Sequence, residues 1–276
     1  MFTLNCKGRL LAATRPLVMG IINTTPDSFY GNSRVDEPNR LLEKAAQMLL
    51  EGASILDIGG QSTRPGSDLI SEAEELKRVI APIAALHRQF PEAIISVDTF
   101  YANVAAAAVA AGASIVNDIS AGAMDAAMLE TVGRLQVPYI CMHMKGTPQT
   151  MQQEAVYDDV AKEVLDYFIG KLAGCKNAGI RDVIIDPGFG FAKTSAQNFR
   201  LLKDLEVFKI LEKPLLAGLS RKGMVYKTLG TTADQALNGS TVLNTLALQN
   251  GAGILRVHDV KEAVEAIALF MAYRDA

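Results

Sequence analysis

Apolar residues fall along this chain in two alternating textures. Short, almost unbroken runs recur: "LVMGIIN" (17–23), "SILDIGG" (54–60), "AIISVDT" (93–99), "SIVNDIS" (114–120), "PYICMHM" (138–144), "DVIIDPG" (182–188), "PLLAGLS" (214–220) and "GILRVHD" (253–259). Between them lie longer stretches such as "EPNRLLEKAAQMLLEGA", "SEAEELKRVIAPIAALHRQF" and "DVAKEVLDYFIGKLAGCKNAG". There apolar residues return at three- and four-residue steps, the pattern of an amphipathic helix. Strands apolar on both faces imply a parallel sheet covered by helices. Eight strand–helix units predict an α/β fold of the (β/α)8 TIM barrel class. A doubly wound open sheet is the alternative, but it needs two edge strands, and none of the eight runs is polar enough to serve. "MFTLNCKGRLL" predicts a short N-terminal β-hairpin that plugs the lower end of the barrel. No Pro/Ser-rich linker divides the chain, so residues 1–276 read as a single domain.

Composition adds mainly exclusions. With 49% apolar and 21% charged residues and a formal charge of −3, the chain is of ordinary soluble globular type. That balance gives no reason to expect nucleic acid or an anionic membrane as a partner, although a local basic cluster can still hold a specific anion. Cys6, Cys141 and Cys175 are scattered and form no C-x-x-C, which argues against a disulfide framework or a structural zinc. Lys7 and Arg9 interrupt the N-terminal apolar residues, and no run approaches the roughly 18 apolar residues of a membrane span. The expected location is cytoplasmic.

A barrel of this class builds its active site at the C-terminal ends of its strands. Those ends carry Asn23, Asp57, Asp98, Asn117 with Asp118, His143, Asp186, Ser220-Arg221-Lys222, and Arg256 with His258. Some have plain structural readings. Asp98 and Asp118 also suit the N-caps of the helices that follow. His143 reads as a core histidine satisfied by backbone, and Asp57 as a brace for loops through their amides. Asp186 resists such a reading, because the Pro-Gly after it cannot start a helix at once.

Asp186 and Asn117 suit the two edges of a flat heterocycle, with Asp98 on its rim. A carboxylate accepts two parallel N–H bonds from a 2-amino-4-oxo ring edge, and an asparagine offers a donor and an acceptor. Phe189 or Phe191 would wall the pocket. Arg64 in the "STRPGS" loop, with Arg256 and His258 in "RVH", suits a phosphate or diphosphate. Asn23 can lend an amide oxygen to Mg²⁺ beside phosphate oxygens and waters. The chain has no G-x-G-x-x-G, P-loop or H-E-x-x-H motif.

"MGIINTTPDSF", "DIGGQSTRPG", "SVDT", "IVNDIS", "MHMKGTPQTMQ", "DPGFGFAK", "GLSRKGM" and "RVHDV", in this order from about residue 17 to 262, resemble the pterin-binding barrels and, among them, the dihydropteroate synthase family. The resemblance implies condensation of (7,8-dihydropterin-6-yl)methyl diphosphate with p-aminobenzoate in folate synthesis, Mg²⁺ as cofactor, and a homodimer. It implies that Asp98, Asn117, Met142, Asp186 and Lys222 hold the pterin. It places Asn23, Arg64, Arg256 and His258 at the diphosphate, with Asn23 as the metal ligand. Thr63, Arg64, Pro65, Phe191 and Lys222 would surround p-aminobenzoate, and Lys222, Arg256, His258 and Asp98 would carry the chemistry. Three departures stand out: "TPDSFYGNS" in the first loop, Gly223 where many members have Ser, and Ala192 where Gly is usual. Ala192 is harmless unless the loop needs positive φ there. The rival readings are a methyltetrahydrofolate:corrinoid methyltransferase on the same barrel and a catalytically silent pterin-binding barrel.

Overall fold

In the computed structural model, which describes residues 1–24, 37–62 and 67–276, the barrel strands are β3 (Leu17–Asn23), β4 (Ile55–Gly59), β5 (Ile94–Asp98), β6 (Ile115–Asp118), β7 (Tyr139–Met142), β8 (Val183–Asp186), β9 (Leu216–Ala217) and β10 (Ile254–Val257). All pair in parallel, in the order β8-β7-β6-β5-β4-β3-β10-β9, and an Ile185–Leu215 bridge joins the two ends into a ring. The hairpin is β1 (Phe2–Cys6) with β2 (Arg9–Ala13), antiparallel, as the N-terminal sequence predicts.

Helices α1 (Glu37–Leu50), α2 (Glu72–Gln89), α3 (Ala102–Ala111), α4 (Met128–Leu135), α5 (Val160–Asn177) and α6 (Ser195–Lys203) follow successive strands. The one-helix-per-strand expectation fails after β9. There α7 (Gly223–Thr228) precedes α8 (Leu237–Gln249), and α9 (Val260–Arg274) closes the chain. The short α7 starts directly at the "SRKG" strand end, and the Gly230 turn separates it from α8.

The two-residue period of the strands sorts the barrel into layers. Leu56, Ile58, Ile95, Val97, Val116, Tyr139, Cys141, Val183, Ile185, Leu255 and Val257 face outward, into the core beneath the helices. Ile55, Ile94, Ile115, Ile140, Ile184, Leu216 and Ile254 face inward at the bottom, where Leu4, Cys6 and Ala13 of the hairpin pack against them. Two residues further up, the same inward positions are Asp57, Ser96, Asn117, Met142, Asp186 and Arg256. Register sets them side by side: Asp57 opposite Ser96, Asp98 opposite Asn117, Met142 opposite Asp186. One step along the strands thus turns a dry apolar floor into a polar chamber.

Candidate active site

Arg256 occupies the centre of that chamber. Its Nε donates to Asp57 Oδ2 at 2.7 Å, and its Nη2 donates to Asp98 Oδ2 at 2.6 Å. Asp57 is fully buried, and the same Oδ2 also accepts from Asn117 Nδ2 at 3.0 Å. Asp57 is therefore not the loop brace that its position suggested. It binds two side chains instead of backbone amides, because the inward face of β4 aims it across the barrel. The bond to Asp57 fixes how the Asn117 amide is turned. Burial opposes the charge of Arg256, but Asp57 and Asp98 outweigh it and hold the guanidinium protonated.

Asp98 is also not a helix cap, since the N-cap of α3 is Tyr101, without a side-chain cap bond. Burial raises its carboxyl above the ordinary range, Arg256 opposes that, and Asp57, Asp118 and Asp186 reinforce it. Asp118 points to the other side of β6, as its alternation with Asn117 requires. There it accepts from Ser120 N and Oγ, Gly122 N and Tyr139 Oη, each at 2.7 Å. It clamps the turn after β6; the cap expectation fails, and the residue lies outside the chamber.

Asp186 ends β8 inside the chamber, 6% exposed, with Oδ1 accepting from Gly188 N at 2.8 Å. Burial raises its carboxyl; Lys222, the Gly188 amide, Arg256 and Lys193 pull it back. The sharp turn after it depends on Gly188. Its φ is +70°, and a Cβ there would sit 2.0 Å from the His143 carbonyl oxygen. Lys222 reaches the chamber from the end of β9, donating to Phe189 O while its Nζ lies 4.7 Å from the Phe191 ring centre. Burial lowers it to about 8, partly offset by Asp186. Of the two candidate wall residues only Phe191 serves, beside Met142 in a small apolar cluster with Phe100, Ile119, Met144 and Met151. Phe189 is fully buried in the outer core.

The neighbouring cations divide by role. Arg221 is a brace, forked onto Asp259 at 2.8 and 2.9 Å and bonded to the carbonyls of Ala233 and Asp234. His258 follows β10 with Nδ1 3.1 Å from Ser220 Oγ, and its own N–H donates to that Oγ at 3.2 Å. The Ser220 hydroxyl has one donor and two acceptor sites, so both tautomers of the neutral His258 ring fit this contact. The residue is exposed overall, yet desolvation of the ring, then Arg256, lowers it to about 4, so it is neutral at pH 7. Asn23 is half-buried at the end of β3, its Oδ1 3.8 Å from a Cβ built on Gly59 and its neighbour across that glycine being Asp98. Thr63, Arg64, Pro65 and the "PDSFYGNS" segment lie outside the described residues. The end of the second loop that is described is tied down by Gln61. Its Nε2 donates to Ser62 O at 2.7 Å and Asp68 O at 3.0 Å, and its Oε1 accepts from Ile70 N at 2.8 Å.

His143 is a core residue, 2% exposed, but its partner is a side chain: Lys193 Nζ lies 2.9 Å from its Nδ1. Two buried titratable side chains near the chamber, Lys193 and Glu75, escaped the reading of strand ends because neither is at one. Glu75 had a visible signal. With Val79, Ile83 and Leu86 it forms the buried stripe of α2, a glutamate where the period calls for an apolar residue. Ala192 and Arg221, in the two loops that flank the chamber, have φ of +48° and +54°, so the loop does need left-handed backbone where Ala192 stands.

Residues 19–258 match the family model described as "Pterin binding enzyme". The dihydropteroate synthase of Escherichia coli strain K12 is 43% identical over 263 residues, covering 95% of this chain and 93% of the relative. A dihydropteroate synthase structure from Xanthomonas albilineans with 4-aminobenzoic acid superposes with a TM-score of 0.93 at 41% identity, covering 99% of this chain and 98% of that one. Another from that organism, in complex with 7,8-dihydropteroate, gives 0.90 at 38% identity over the whole of both chains. With the family model matched across residues 19–258 and relatives matched over nearly full length, this chain belongs to the pterin-binding enzyme family, among its dihydropteroate synthases.

Proposed function

We propose that this chain condenses (7,8-dihydropterin-6-yl)methyl diphosphate with p-aminobenzoate to give 7,8-dihydropteroate and diphosphate, by placement and electrostatics rather than by acid–base catalysis. The observation that carries this mechanism is the Asp57–Arg256–Asp98 triad beside Asn117, Asp186 and Lys222. Three carboxylates face two cations, so the chamber is short of positive charge. Asp186 takes the amino-pyrimidinone edge of the pterin, and Asn117, its amide orientation set by Asp57, takes ring nitrogens. Met142 and Lys222 line the same ring. As the C–O bond to the diphosphate breaks, positive charge on the pterin methylene is stabilised by Asp98 and Asp186. A preorganised site of this kind acts without reorganising at the moment of reaction. The neutral arylamine of p-aminobenzoate, held among Thr63, Arg64, Pro65, Phe191 and Lys222, then attacks the methylene carbon, and the proton its nitrogen loses passes to the departing diphosphate or to solvent.

The departing diphosphate belongs at the rim, near Asn23, Arg64 and His258. Arg256 contributes its Nη1, which bonds no described residue, while its other nitrogens hold Asp57 and Asp98. No group of three His, Cys, Asp or Glu side chains among the described residues is placed to hold a metal. One amide oxygen from Asn23 still suits Mg²⁺, which keeps waters and takes substrate phosphates. When bound there it would neutralise charge on the leaving diphosphate.

A homodimer in the cytoplasm is part of this reading. Apolar Val242 and Leu246 on α8 and Leu269 and Tyr273 on α9 are exposed and available to a second copy. No helix among the described residues is long and apolar enough to cross a membrane. The test is turnover of the two substrates by the purified chain, with and without chelator. Diphosphate release with both substrates present but no 7,8-dihydropteroate formed, or no release at all, would refute it.

A further inference from the structure

Lys193 is 4% exposed and takes no part in the reaction described above. Its ammonium has three acceptors for its three protons: Gly188 O at 3.0 Å, Phe191 O at 3.0 Å and His143 Nδ1 at 2.9 Å. The first two span the turn between Asp186 and the pocket wall. The third anchors that turn to the neighbouring strand end, where His143 N donates to Asp186 O at 2.9 Å. His143 is itself wedged by Tyr167, edge-on at 4.7 Å between ring centres. Filling this space required no charge. A methionine of similar length would occupy it without desolvating an ammonium, and such replacements are often neutral or favourable when partners are not orphaned. Here the replacement would orphan two carbonyls that shape the turn.

We infer that Lys193 is a positioning residue for the pterin pocket: it fixes the turn at residues 187–192 that follows Asp186. The inference rests on the proposed pterin site. Burial lowers Lys193 to about 7, with Asp186 opposing and Lys222 and Lys145 adding to the shift, and His143 is lowered to about 2 chiefly by its own burial. His143 is therefore a neutral acceptor at Nδ1. Asp186 faces Lys222 after β9, Arg256 on β10 and Lys193 below. Asp98, on β5, is the nearby carboxylate that feels it. Lys193 is the one of these cations that would not itself touch substrate.

Two substitutions separate the effects. Lys193→Met removes both the charge and the donors, whereas Lys193→Gln removes the charge and keeps two donors. Hydrogen exchange of the Gly190 and Phe191 amides, measured on the substrate-free protein, reads the turn alone. It should accelerate about tenfold or more in the methionine variant and less in the glutamine variant. Steady-state kinetics should show KM for the pterin diphosphate raised about 10- to 100-fold in the methionine variant. The acid limb of kcat/KM should move up in both variants, by less than loss of the larger Lys222 influence on Asp186 would give. A merely structural role would lower the active fraction, reducing kcat with KM and the pH profile unchanged, and that result would overturn the inference. Unchanged exchange in both variants would overturn it too. If Lys193→Met does not fold, Lys193→Gln carries the pH test. Wild-type turnover is measured alongside, so failure of the pterin reading itself is seen separately.

Discussion

Glu75→Gln should make the stability of this protein less dependent on pH, by an amount set by one buried carboxyl. Glu75 is fully buried, and neither of its oxygens has a hydrogen-bond partner among the described residues. Burial, then Asp98, raises its pKa from 4.5 to about 8; Thr99 and Arg78 oppose and Glu72 adds slightly. An acid whose folded pKa lies above its unfolded one holds its proton more tightly when folded. Below pH 4.5 both states are protonated and the group contributes no pH dependence. From there each pH unit costs about 1.4 kcal/mol of stability, until the folded group ionises and the cost levels off. At pH 7 the accumulated penalty is about 3 kcal/mol, a large share of the roughly 5–15 kcal/mol that holds a typical domain. An amide is neutral throughout, so the substitution removes the slope. It also buries an NH₂ in place of an oxygen, which adds a constant offset; the slope, not the absolute stability, is the observable. Urea unfolding of both proteins at intervals from pH 4.5 to 8 measures it. The difference between the two curves should grow towards alkaline pH in favour of the variant. Parallel curves would show that Glu75 is ionised or satisfied in the folded protein, and the argument from burial would be wrong.

Asp186→Asn should weaken binding of the pterin substrate by about 2–4 kcal/mol, because an amide replaces one acceptor with a clashing donor; calorimetry on the folded variant that finds unchanged affinity contradicts the assignment. Arg256→Ala should lower kcat roughly 10²–10³-fold, and, because it leaves the buried carboxylates Asp57 and Asp98 without their shared cation, it should also lower the melting temperature; a variant with wild-type kcat removes Arg256 from the chemistry. His258→Ala should cost about tenfold in kcat, since one neutral N–H is lost and no full charge, and inhibition by diphosphate should weaken with it. Binding should be ordered, the diphosphate substrate first; tight p-aminobenzoate binding to protein lacking pterin and diphosphate, seen by calorimetry, would contradict this.

What could be read from the sequence follows the strand period. Asp186, Asn117, Asp98 and Arg256 stand at strand ends, and alternation alone puts them inside the barrel, as it puts Val257 outside. The same rule, applied strictly, would have turned Asp118 away from the site, because it is adjacent to Asn117. The pairing of Asp57 with Arg256 was beyond reach, since it joins positions 199 residues apart and depends on barrel closure. Phe189 and Phe191 are two residues apart on a turn, not a strand, where period two has no force. Lys193 and Glu75 became visible only once burial was known. For Glu75 the helical stripe carried a hint; for Lys193 the sequence carried none.

The apolar floor under the chamber decides how molecules can pass through it. Leu4, Cys6 and Ala13 close the bottom of the barrel against the inward isoleucines, so traffic enters and leaves by one end. Asn117 and Asp186, the proposed pterin contacts, stand immediately above that floor, while His258 and Asn23 stand at the rim. A ligand seated on the floor cannot leave past one that still fills the opening. With the pterin seated as proposed, access would be last in, first out: the pterin ring would have to arrive before its co-substrate. Diphosphate, at its proposed place by the rim, would clear before the larger product. Excess p-aminobenzoate that enters early obstructs the site, and inhibition at high p-aminobenzoate would be the kinetic trace of a vessel with a single opening.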